Sequence, residues 1–147
     1  MWHYTFTVHD GERLIGNATE ASFFEYECDP GDRLFSTSME NIAFLEANLL
    51  PDRIYYVKVL PAMGWATPKI HLVSLHPGSP EQEWRDISKL FRRLRETQVT
   101  AAEIENDRRG ITRYMERVQK HLGEYRSNPK REQILPEHGQ TQPIDGR

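Results

Sequence analysis

RLFSTSMENIAFLEANLLPDRIYYVKVL, from Arg33 to Leu60, reads as strand, helix, strand, and the rest of the chain is arranged around it. Leu34 and Phe35 open a short apolar run that ends in the hydroxyls of Ser36, Thr37 and Ser38. Met39, Ile42, Ala43, Leu45, Leu49 and Leu50 then fall near helical spacing, which predicts a helix. Thr37 or Ser38 would cap its N-terminus, because a hydroxyl there accepts from an orphan backbone N–H. Pro51 would end it, since proline disfavours helix in the residue before it. Ile54 to Val59 is β-branched and aromatic, which predicts a strand buried near the middle of a sheet. Hydroxyls at a strand mouth beside exposed helix N–H groups suit a polar or anionic ligand, although a plain N-cap is the commoner explanation of such residues.

Outward from this segment, Trp2, Tyr4, Phe6 and Val8 alternate with His3, Thr5 and Thr7, as in a strand with one face in the core. Asp10-Gly11 is a turn signal, and Asp29-Pro30-Gly31-Asp32 is another, feeding the strand at Leu34. Pro61 to Pro68 reads as a loop carrying Trp65, either folded onto the core or standing over a pocket. Lys69 to His76 reads as a strand. The character then changes. Ser79-Pro80-Glu81-Gln82 is a helix start, with Trp84, Ile87, Leu90, Phe91 and Leu94 on one face. Thr100 with Glu103 starts a second helix, striped by Ile104, Ile111, Met115, Val118 and Leu122, with a break expected at Gly110 and a stop at Gly123. Asn128-Pro129 interrupts the chain, Arg131 to Leu135 is a last short strand, and the tail after Pro136 is polar.

A chain of 147 residues predicts one domain with one core. A net charge of −3 carries no global nucleic-acid signature. The single cysteine, Cys28, excludes an internal disulfide framework and a paired-cysteine zinc site. No apolar run reaches the roughly 20 residues that span a bilayer, and MWHYTFTVHD lacks the regions of a signal peptide. These features predict a cytoplasmic protein, or one exported by a route that uses no leader. His71 and His76 lie five apart on a strand and so face opposite ways, and no His-Glu-x-x-His or phosphate-loop glycine pattern occurs.

Three pieces are placed to converge at one sheet edge: His3 with Thr5, then Ser36-Thr37-Ser38, then Glu132. Their order resembles the ADP-ribosyltransferase fold family, the NAD-consuming toxins and antibiotic-modifying enzymes. Trp2-His3-Tyr4-Thr5 is similar to the family's histidine-bearing first strand. Phe35-Ser36-Thr37-Ser38 resembles its aromatic-Ser-Thr-Ser run, and Arg53-Ile54-Tyr55-Tyr56-Val57 the strand that follows. Glu132-Gln133-Ile134-Leu135-Pro136 is similar to the catalytic strand of small Rho-modifying exoenzymes. The likeness covers most of residues 1–76 and 129–145.

The resemblance implies an α+β domain over residues 1–147, with a split, mostly antiparallel sheet, a helical hairpin inserted at about 79–123 and a polar C-terminal tail. It implies NAD as substrate, nicotinamide as product and no metal, with the acceptor open among protein, nucleic acid and small molecule. Glu132 would stabilise the oxocarbenium-like cation. His3 and Thr5 would hold the dinucleotide, and Ser36, with Thr37 and Ser38 beside it, would position the nicotinamide ribose. Phe35, Tyr4 or Trp65 would stack on nicotinamide. Lys130 stands where the toxin branch carries Glu or Gln, so the likeness does not select arginine or asparagine as acceptor. Glu81-Gln82-Glu83-Trp84 competes for the catalytic motif, but its setting reads as a helix N-terminus, where acids are favoured.

A second function class is a binding module. Arg92, Arg93, Arg95, Arg108, Arg109, Arg113, Arg117 and Lys120 cluster in the helical part and would grip an acidic protein or RNA. Glu83, Glu96, Glu103, Glu105 and Glu116 are interleaved with them, so solvated helix faces with i, i+4 pairs explain most of the cluster, and the module reading is that of an inactive transferase-like domain binding a partner through its hairpin.

Overall fold

The computed structural model describes residues 5–19, 21–63 and 68–144. Asp10-Gly11 makes the expected hairpin: Gly11 takes φ +59°, a value that suits glycine. The turn joins β1 (Phe6–Asp10) to β2 (Arg13–Ala18). A two-residue strand, β3 (Ser22–Phe23), follows, then β4 (Gly31–Ser38).

The segment after Ser38 is a strand, β5 (Ile42–Leu49), and the expected helix is absent. It pairs antiparallel with β4 along its whole length, from Gly31 opposite Leu49 to Ser38 opposite Ile42. Ser36, Thr37 and Ser38 therefore belong to a strand and cap nothing. The reason is burial on both faces. Phe44 is 6% exposed and Leu45 0%, although neighbours in a strand point to opposite sides. A strand covered twice needs apolar residues on both sides, so it loses the alternation that would have marked it.

β6 (Tyr56–Met63) and β7 (Pro68–Leu75) form an antiparallel pair of their own. The strand expected in mid-sheet thus lies at an edge, with Val57 40% and Leu60 41% exposed. Pro61 to Met63, expected in a loop, extend β6. β7 is fastened at its other side by one side chain: the Asn41 amide donates to the Ile70 carbonyl and its Oδ1 accepts from the Ile70 N–H, at 2.9 and 2.8 Å.

α1 (Glu81–Phe91) begins where Ser79-Pro80 announced it, but without a side-chain cap. Ser79 Oγ instead accepts from His76 N–H. Phe91 meets Phe23 edge-on at 5.2 Å, and Trp84 meets Tyr56 edge-on at 5.7 Å. A short strand, β8 (Arg95–Glu96), pairs parallel with β3. α2 (Ala101–Ser127) starts with the expected Thr100–Glu103 capping box. It runs through Gly110 and Gly123 unbroken, since each glycine costs only about 1 kcal/mol and α2 is clamped to the sheet at both ends. The chain ends in β9 (Gln133–Ile134), parallel to β5, and a 3-10 turn at Pro136–His138.

The domain is α+β, with mostly antiparallel strands. The large sheet has the order β2-β1-β4-β5-β9. One face packs on the β6–β7 hairpin through Leu45, Ala47, Leu72 and Ile134. The other lies under α2. No described helix is long and apolar enough to cross a membrane.

Candidate functional site

α2 crosses the large sheet strand by strand and makes a polar clamp at each. Asn17 of β2 donates its amide to Glu103. His9 of β1 meets Asp107 Oδ1 through Nε2 at 2.7 Å. Ser36 of β4 shares a 2.6 Å hydrogen bond with the Tyr114 hydroxyl. Tyr125 accepts from Glu46 N–H of β5 at 2.9 Å and donates to the Glu132 carbonyl just before β9. The sequence of clamps along the helix repeats the order of strands in the sheet. From Glu103 to Tyr125 the helix rises ~33 Å, while five strands span ~19 Å between their outer axes, so α2 crosses obliquely.

The middle of this seam is its most enclosed part. His9 is 1% exposed and stacks on Tyr114 at 4.4 Å with 28° between the rings. His9 Nδ1 is buried without a hydrogen-bond partner. A proton on Nε2 meets this geometry, since it donates to the Asp107 carboxylate. Burial pushes the Tyr114 hydroxyl up from its ordinary range, against the opposing hydrogen bond from Ser36 and the charge of Arg117. Tyr114 therefore stays a phenol.

The residues singled out in the sequence fall at separate places. His3, Tyr4 and Trp65 lie outside the described residues. Thr5 is exposed ahead of β1. Phe35 packs on the apolar core and meets Tyr26 edge-on. Ser36 is 2% exposed beneath Tyr114. Thr37 is fully buried and donates to the Thr7 carbonyl at 2.8 Å. Ser38 is half-buried at the end of β4. Glu83 sits in the first turn of α1 as a helix-start acid, 3.4 Å from Lys58.

Glu132 is exposed and lines a cleft of about 540 Å³ with Phe44, His71, His121, Tyr125 and Lys130. Ser36 does not line this cleft, but Phe44 does, and Phe44 is its direct cross-strand partner. His9 is in turn the partner of Ser36 on β1. The sheet thus carries His9, Ser36 and Phe44 side by side, with Glu132 at the lead-in to the outer strand. Three cations, Arg117, Lys130 and Arg131, and three acids, Glu40, Glu124 and Glu132, surround the cleft, so its formal charge balances.

A second cleft, of about 600 Å³, opens between β2, the Phe24–Tyr26 segment and the first half of α2, with Asp107 in its wall. Among the described residues no group of three or more His, Cys, Asp or Glu is placed to hold a metal ion. No family model matches the chain, and no curated protein or solved structure matches it.

His9, Asp107 and Tyr114 were not singled out as site residues. The available signal was helical spacing: Glu103, Asp107, Tyr114 and Tyr125 fall close to one stripe of a 3.6-residue helix, beside the Ile111–Val118 stripe that was recognised.

Proposed function

We propose that this chain is a docking module that binds an acidic protein surface through the outer face of α2. One observation supports this reading above the others. Glu103, Asp107, Tyr114 and Tyr125 on the inward side of α2 are engaged by the sheet, while Arg109, Arg113 and Lys120 stand exposed on the outward side with no ion pair among the described residues. Arg109 and Arg113 are one turn apart and point the same way. Glu105 and Glu116 lie between and beside these cations, so the face carries both signs. A protein surface with an acidic patch and scattered cations complements it. A continuous polyanion such as RNA meets the two glutamates as repulsion.

The test is fluorescence anisotropy of a labelled peptide of Glu-Glu-Lys-Glu repeats, acidic overall with scattered cations, and of a single-stranded RNA oligonucleotide. The peptide binds, and its affinity falls as salt rises. Arg109→Glu with Arg113→Glu weakens it about tenfold or more, since exposed ion pairs contribute about 0.2–1 kcal/mol each and reversal adds repulsion. Absence of peptide binding at low salt, or tighter binding of RNA, overturns the reading.

A second reading is NAD-dependent ADP-ribosyl transfer. It is favoured by the cleft at Glu132, where an exposed carboxylate stands with the aromatic Phe44 and Tyr125 and with His71 and His121. Glu132 would face the cation that develops as the nicotinamide–ribose bond breaks. Ser36 and Thr37, which the resemblance assigns to the ribose, are enclosed, so this reading leans on the cleft alone. Its measurement is nicotinamide release from NAD by wild type and Glu132→Gln. Release that the variant loses about 100-fold or more, with melting unchanged, supports it. Equal release by both proteins removes Glu132 from the chemistry.

A further inference from the structure

The cleft beside Asp107 combines features that the docking face does not use. Ile104, Asp107, Arg108 and Ile111 are spaced i, i+3, i+4 and i+7, so they share one face of α2. That face looks across at Leu14 and Phe24. Ile104 is 45% exposed, a large aliphatic side chain left open at a concave wall. The volume, about 600 Å³, lies within the usual range for small-molecule sites.

The charges at this cleft are unequally committed. Arg13 lies over the Tyr26 ring, 5.5 Å from its centre. Arg108 pairs with Glu105 at 3.4 Å. Asp107 and Glu12 are less committed. The partner of Asp107 is the imidazole of His9, which donates from Nε2 and orients the carboxylate. Glu12 is exposed and has no ion pair among the described residues. Leu14, Phe24, Ile104 and Ile111 thus give the wall an apolar strip, the lining carries three acids, Glu12, Glu25 and Asp107, against two arginines, and Asp107 is the carboxylate held from behind by a buried ring.

We infer that this cleft binds a small organic cation with an apolar body, such as an aryl- or alkylammonium compound, whose ammonium group hydrogen-bonds Asp107 while its hydrocarbon lies on Ile104 and Ile111. The direction of His9 supports the assignment. With Nε2 on Oδ1, the Asp107 carboxylate is fixed before any ligand arrives, and such preorganisation lowers the cost of binding. This site is distinct from the outward cations of α2, and it stands or falls separately from the docking reading.

The experiment is a titration of the whole chain with benzylammonium, benzyl alcohol and phenylacetate, followed by the methyl signals of Ile104 and Ile111. Benzylammonium moves both signals and binds roughly tenfold more tightly than benzyl alcohol, the difference expected of a charge-assisted hydrogen bond. Phenylacetate binds more weakly than either. Asp107→Asn still accepts from His9 Nε2–H, so the fold is retained while the preference for the cation disappears. Ile104→Ser does not touch His9 and weakens all three ligands without changing their order. Equal binding of the three compounds by wild type, no shift of either methyl at millimolar benzylammonium, or a preference that survives in Asp107→Asn each overturns the assignment.

Discussion

Tyr125 is attached to the sheet by its hydroxyl, which accepts from Glu46 N–H and donates to the Glu132 carbonyl where β9 has not yet begun to pair. Tyr114 performs a similar task one strand over, on Ser36. A serine read from the sequence as a ligand contact is thus placed as a clamp between helix and sheet. The two roles separate experimentally. Ser36→Ala and Tyr114→Phe should each lower stability by about 1–2 kcal/mol, because each leaves a buried hydroxyl unpaired. The double variant should lose less than the sum, since the second substitution removes a group already orphaned. Chemical denaturation of the four proteins checks this. Strict additivity would show that the Ser36–Tyr114 bond contributes nothing to the fold.

Among the elements, the C-terminal segment has the clearest dependence on pH. It returns across the start of β6: Ile54 and Gln140 exchange two backbone hydrogen bonds, and Tyr55 donates to the Pro136 carbonyl. His138 stacks on His76 at 4.6 Å. Each ring accepts a backbone N–H at Nδ1, from Leu135 and Gly78 respectively, so both are neutral with the proton on Nε2. Burial, then the neighbouring His76, pulls His138 below its ordinary value of 6.5, with Glu137 and Glu132 opposing. The folded chain therefore takes up this proton less readily than the unfolded chain. Its contribution to stability is fully present above 6.5 and is lost as pH falls through the lower folded value. Amide protection at Leu135, Gly139 and Gln140, measured against the intrinsic exchange rate at each pH, should be lost in acid before protection in β4 and β5 is. His138→Phe keeps a ring against His76 but cannot titrate, so the early acid step should vanish. Its persistence would place the titrating group elsewhere.

Across the molecule, the elements with local signals follow from the order of residues alone. Gly11 makes its hairpin because the turn needs a positive φ there. Thr100 and Glu103 cap α2 because both partners lie within one turn. The β-branched, aromatic run from Ile54 supplies the first half of β6, and Gln133–Ile134 pairs at the edge where a last strand was expected. What covers each element depends on long-range packing. Residues 42–49 carry apolar side chains at helical and at alternating spacing alike, and the choice fell to strand because β4 offers eight partners in register and both faces are buried. Having become a strand, β5 leaves no helix for Ser36, Thr37 and Ser38 to cap, and α2 then seals Ser36 beneath Tyr114. The partnership of His9 with Asp107 spans 98 positions of sequence, and no local pattern carries it. Hydrogen bonds within a turn are set by neighbours along the chain, whereas burial and long-range pairing exist only once the sheet has been closed by its helix.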